Sequence, residues 1–193
     1  MEWKVFSSQV KQIEGRVVTG IASVFGVVDD GGDRWHRGAF TKTLQERGPR
    51  IRFLWGHDAS KPPTAVIREI RELGPEELPS DLQAQGATGG LLVVREYLPT
   101  SRGEEVLTAL KAGAITAMSF GFDPITVSYS TQGDRTIREV HAVRLREVSD
   151  VPWGMNSYTL AVKLFIPYKN EGQAPDAEPR ERRRLPGCTA AAM

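Results

Sequence analysis

The sequence predicts a β-rich α+β fold, a mostly antiparallel β-barrel, closed or partly closed, with a few peripheral helices. About eight segments carry the β-branched, aromatic and small residues of strands, bounded by turn formers. Helical spacing is confined to short stretches around Phe40 and around Val106. Strands and helices do not alternate as βαβ units do, so a parallel sheet is not expected.

Each element has a local reason. Val5 to Val10 is expected to pair with Glu14 to Phe25 across a turn at Glu14-Gly15, an opening hairpin. Asp29-Asp30-Gly31-Gly32-Asp33-Arg34 is rich in turn formers but lacks the glycine and glutamate offsets of a calcium-binding EF-hand, which predicts a structural turn. Phe40 and Leu44 stand one helical turn apart before Gly48-Pro49, predicting a short helix closed by glycine. Ile51 to Trp55 has the composition of a buried strand. Thr64 to Leu73 alternates as a strand does, with slips at Val66 and Ile70.

Gly74 to Gly90 shows no sustained period and is expected to be a long surface loop before a strand from Leu91 to Leu98. Ser101 and Glu104 have capping-box spacing and are followed by Val106, Leu107 and Leu110, a helix that Gly113 ends. Ile115 to Tyr129 and Thr136 to Val151 are extended and joined at Thr131-Gln132-Gly133-Asp134, with a last strand from Ser157 to Ile166. Beyond Pro167 the chain has too few apolar residues to offset the entropy of ordering. Residues 1–168 are therefore expected to form one domain, and residues 169–193 a disordered polar tail.

Composition narrows the function classes. Lys and Arg total 25 against 24 Asp and Glu, so no global positive field draws nucleic acid or an anionic membrane, and neither is an expected partner. A single cysteine, Cys188, excludes an internal disulfide and a thiolate metal cluster, in keeping with a reducing compartment. No apolar run approaches the roughly twenty residues that span a bilayer. The opening Met1-Glu2-Trp3-Lys4 lacks a signal-peptide core, and a cytoplasmic location is expected.

Chemistry converges on few residues, because the chain has only His36, His57 and His141 as imidazoles. Around Ser119, alternation puts Thr116, Met118, Phe120 and Phe122 on one face and Ala117, Ser119 and Gly121 on the other. The hydroxyl thus sits among small neighbours that leave room for a substrate backbone, although a serine in a sheet more often simply fills space. His57 follows a firm strand, where a general base could be held, or where a turn residue could simply face solvent. Asp58 adjoins it, but adjacent side chains on extended backbone diverge. Glu139, His141 and Glu147 share one parity of their strand, with His141 and Glu147 about 20 Å apart, so both cannot touch one imidazole. Glu147 either orients an imidazole or forms a salt bridge with Arg144 or Arg146. His36, His57 and His141 could serve a metal-dependent hydrolase, yet no local ligand spacing supports it, and neither metal nor cofactor is expected.

The ordered set Gly20-Ile21-Ala22-Ser23-Val24-Phe25, Asp33, Arg37-Gly38-Ala39-Phe40, Leu54-Trp55-Gly56-His57-Asp58, Gly90-Leu91, Ser119-Phe120-Gly121-Phe122 and Glu147-Val148-Ser149 resembles the prohead maturation proteases of HK97-like tailed bacteriophages. The likeness runs from about Glu14 to Ile166. It implies a serine endopeptidase on a herpesvirus-protease-like barrel that cleaves scaffold, or the capsid protein's scaffolding segment, inside the immature procapsid in the host cytoplasm. It further implies His57, Ser119 and Glu147 as the catalytic residues, with His141 the alternative third member because the herpesvirus enzymes use a second histidine. Self-association as a homodimer or larger assembly becomes a point to test. A non-enzymatic capsid assembly protein on the same barrel is the competing reading.

Overall fold

The computed structural model describes residues 1–6 and 9–152. Its strands are β1 (Glu2–Phe6), β2 (Gln9–Glu14), β3 (Val17–Phe25), β4 (Asp33–Trp35), β5 (Arg52–Trp55), β6 (Ala65–Leu73), β7 (Gly89–Tyr97), β8 (Ala117–Gln132) and β9 (Arg135–Val151). The α-helices are α1 (Thr41–Arg47), α2 (Ser80–Ala84) and α3 (Ser101–Lys111). The expected last strand Ser157 to Ile166 and the polar tail lie outside the described residues.

The strands form one sheet in the order β1-β8-β9-β5-β6-β7-β3-β2, with β4 also on β9. Among the described residues this path does not close, and it is mixed rather than purely antiparallel. The β-rich character with few helices and the prevalence of antiparallel pairing are as expected, whereas the expected barrel, closed or partly closed, is corrected to an open, curled half-barrel with a mixed sheet. Both parallel pairings belong to β9, which is long enough to offer one edge to two short strands in tandem. β4 pairs with Arg138 to Val140 and β5 with Glu147 to Asp150, and α1 carries the chain from one to the other. Strands of three and four residues carry no signal of direction, so sequence periodicity could not reveal this arrangement.

Curling brings distant strands together around one apolar interior. Phe40, just ahead of α1, stacks on Trp35 at 5.3 Å and meets Phe25 of β3 at 6.0 Å and Phe120 of β8 at 5.5 Å. Met118, Phe120 and Phe122 all point into this core, as alternation along β8 predicts. Thr43 of α1 pins the helix to β9 by donating its hydroxyl to the Val143 carbonyl at 2.8 Å.

The outer face of β3, β6 and β7 holds a second, smaller core of Ile21, Leu73, Leu78, Leu82, Ala87, Leu92 and Val94. Gly74 to Gly90 is thus not the bare loop expected. It contains a 3-10 turn (Pro75–Glu77) and α2, whose Leu82 is buried on that face. Five residues of helix are too few to show a period. The opening hairpin is also reapportioned: β2 pairs with β3, while β1 crosses to β8. Asp29 organises the loop before β4 by accepting the N–H groups of Gly31 and Asp33 at 2.9 Å, the structural turn expected of it.

Candidate active site

Three neighbouring strands, β8, β9 and β5, carry the candidate residues. In the antiparallel β8–β9 ladder Ser119 lies directly opposite Ser149 and Gly121 opposite Glu147. Directly opposed residues share a face, with Cβ atoms about 5 Å apart. Ser119, Ser149 and Glu147 therefore stand on the small-residue face with Ala117 and Gly121, away from the aromatic core.

Glu147 owes that position to a β-bulge. Leu145 pairs with Phe122 and Glu147 with Gly121, so Arg146 has no opposite number. Leu145 points into the core, and the extra residue turns Glu147 to the other face. Single parity along β9 therefore fails. A second irregularity leaves His141 between Val140, opposite Val127, and Ala142, opposite Thr126.

His57 arrives from β5, which runs parallel to β9 with Leu54 opposite Ser149 and Trp55 opposite Asp150. The Gly56 N–H continues the ladder by donating to the Asp150 carbonyl at 2.9 Å. Gly56 and His57 then both adopt left-handed backbone, with φ of 60° and 62°. Glycine does this freely, whereas a histidine pays on the order of 1–3 kcal/mol, a cost seen mainly where function requires a particular aim. The turn folds the imidazole back over β9. There His57 Nδ1 lies 2.7 Å from Glu147 Oε1.

Ser149 completes the connection. Its hydroxyl donates to Glu147 Oε2 at 2.5 Å and accepts the His57 backbone N–H at 3.2 Å. Ser119 and Ser149 are both fully buried, and Glu147 is nearly so.

Asp58 takes no part in orienting the ring. It accepts the hydroxyl and backbone N–H of Ser60, hydrogen bonds that hold its carboxyl below its ordinary value. Of the two alternative salt-bridge partners for Glu147, Arg146 pairs instead with Asp123.

His141 is elsewhere. It stacks on His36 at 4.4 Å and its Nε2 lies 2.8 Å from the Ser128 hydroxyl, while His36 Nε2 lies 2.7 Å from Glu139. Glu139 and Glu147 stand eight positions apart on β9, roughly 26 Å of strand. The three imidazoles thus do not converge as a metal-dependent hydrolase would require. Among the described residues no group of three or more metal-ligating side chains is found.

Two features escaped sequence reasoning. Ser149 lay in the Glu147-Val148-Ser149 motif, but its parity with Glu147 alone did not suggest a shared hydrogen bond. Arg95, Tyr97 and Asp150 form a fully buried polar cluster beneath the site, with Arg95 donating to Asp150 Oδ1 at 2.9 Å and to the Tyr97 hydroxyl at 3.0 Å, and Tyr97 donating to Asp150 Oδ2. Burial pushes the Tyr97 hydroxyl up, which keeps it a donor. A charge on each of two strands distant in sequence gives no local sign that they meet.

A family model described as caudovirus prohead serine protease matches residues 4–166. Among solved structures, the bacteriophage T4 capsid assembly protease gp21 is similar in fold, with a TM-score of 0.50 and 12% identity over 80% of this chain and 100% of that one. No curated protein matches the sequence at a significant level.

Proposed function

This chain belongs to the caudovirus prohead serine protease family, and from that premise we propose that it cleaves the scaffold protein, or the scaffolding segment of the capsid protein, inside the immature procapsid. Ser119 is the nucleophile, His57 the general base and Glu147 the residue that orients the imidazole. The observation that carries this assignment is the hydrogen bond of 2.7 Å between His57 Nδ1, just past the end of β5, and Glu147 of β9, the strand that pairs with β8 at Ser119.

A carboxylate on Nδ1 fixes the tautomer and turns Nε2 toward the reaction. As Ser119 Oγ bonds to the scissile carbonyl carbon, His57 Nε2 takes the hydroxyl proton. It returns that proton to the departing amine as the C–N bond breaks. Water, deprotonated by the same imidazole, then hydrolyses the acyl ester and restores the serine. Glu147 stabilises the imidazolium formed in each half. Ala117, Gly121 and Ser149 beside Ser119 are small, so side-chain bulk on that face is low for an extended peptide backbone. Residues 1–168 constitute the protease domain and residues 169–193 a polar appendage to it.

Co-expression with the capsid and scaffold proteins of the same phage tests the proposal by mass spectrometry of the products. The native chain yields truncated capsid or scaffold protein, and Ser119→Ala leaves both intact. Truncation that persists with Ser119→Ala refutes the nucleophile assignment, and intact partners with the native chain favour an assembly role without proteolysis.

A further inference from the structure

We propose that Ser149 is a positioning residue that clamps the base and the acid to each other, an inference that rests on the Ser119, His57 and Glu147 reading. The Ser149 hydroxyl has one proton, and the structure commits it to Glu147 Oε2 at 2.5 Å. Its oxygen accepts the His57 backbone N–H at 3.2 Å. One buried atom thus joins the carboxylate that holds the imidazole to the backbone from which that imidazole hangs.

Both connections answer a specific need. Glu147 has two oxygens, and with only Oε1 engaged by His57 the carboxylate could rotate about its terminal bond. The Ser149 hydroxyl on Oε2 fixes its plane, and hence the direction from which Nδ1 is met. His57 is held in left-handed backbone that its side chain disfavours, and the hydrogen bond to Ser149 is an anchor of that conformation to β9. Ser149 is fully buried on a central strand between β8 and β5, so bulk water does not substitute for its hydroxyl. Removing the hydroxyl leaves the fold's apolar core untouched but lets ring and carboxylate drift. Errors of this size at a catalytic base cost rate more than binding.

The test follows Ser119 reactivity directly, with no need for a known cleavage site. The purified full chain is treated with a fluorophosphonate, whose phosphorus bonds to Ser119 Oγ as fluoride leaves and the hydroxyl proton passes to His57. The labelling rate is read by mass spectrometry, and the far-downfield NMR resonance of His57 Nδ1–H is recorded alongside. In Ser149→Ala, labelling slows about 10- to 100-fold and the resonance broadens or is lost while circular dichroism is unchanged; Ser149→Thr, which keeps the hydroxyl, recovers both. Ser149→Cys carries the same test if the alanine variant does not fold, because a thiol fills the volume but hydrogen-bonds weakly. Labelling that depends on Ser119 yet is unchanged in the folded Ser149 variants, with the resonance intact, overturns the inference alone. Labelling that persists in Ser119→Ala overturns the underlying site reading instead.

Discussion

At the scale of single residues, the site depends on which acid meets His57. Glu147 Oε1 lies 2.7 Å from Nδ1, and the geometry matches a carboxylate that selects one tautomer and supports the imidazolium. Glu147→Gln keeps size and polarity but removes the charge and allows the wrong tautomer. The expected result is a loss on the order of 10³- to 10⁴-fold in turnover with little change in melting temperature, checked by cleavage kinetics and thermal denaturation on one preparation. A loss below tenfold would contradict the role. Ser119, His57 and Glu147 were legible as candidates because few residue types can carry out acyl transfer and this chain has only three imidazoles. Ser149 was not legible, since a serine's worth here comes from atoms ninety-two positions away along the chain.

Elements are set by bulges and short strands as much as by periodicity. The slip in alternation near Val66 and Ile70 has a physical origin in the ladder, where Ile67 pairs with Arg95 and Glu69 with Val94, leaving Arg68 as the extra residue. The predicted helix after Ser101 exists, although Thr100 rather than Ser101 caps it by accepting the Gly103 N–H. Far from the site, the β4 junction with the β8–β9 hairpin gathers Arg34, His36, Ser130 and Glu139. Burial pushes the Glu139 carboxyl up, but hydrogen bonds from Ser130 and His36 and the Arg34 charge outweigh it and leave the carboxyl below its ordinary value. The folded state therefore favours ionised Glu139. Its contribution is fully present above the ordinary carboxyl value of about 4.5 and is lost as pH falls through the lower folded value. Glu139→Gln should melt roughly 2–4 °C lower near neutrality, the shift that about 1 kcal/mol produces in a chain of this size. Melting curves across pH should show that gap closing below about pH 4.5; a gap that widens in acid would reverse the sign.

For the molecule as a whole, the half-barrel places polar chemistry on one face of β8 and β9 and an aromatic core on the other, with a fully buried ion pair inside. Arg95 is fully buried, lies over the Phe53 ring at 5.0 Å and pairs with Asp150 across the interior. Removing one partner leaves an uncompensated charge where water cannot reach it. Asp150→Ala should cost roughly 3–5 kcal/mol, measured as a fall in the denaturant midpoint at unchanged slope. A midpoint within experimental error of the native chain would show that the pair does not hold β7 to β9. The sequence by itself determined the β-rich character, most of the strands and the short set of side chains able to do peptidase chemistry, because alternation, turn formation and functional-group chemistry are local properties. Tertiary structure alone decided that the sheet among the described residues is open and mixed, that a bulge at Arg146 turns Glu147 toward His57, and that His141 stacks far away on His36. Register and strand order arise from pairings between segments distant in the chain, and one unpaired residue in such a ladder sends every later side chain to the opposite face.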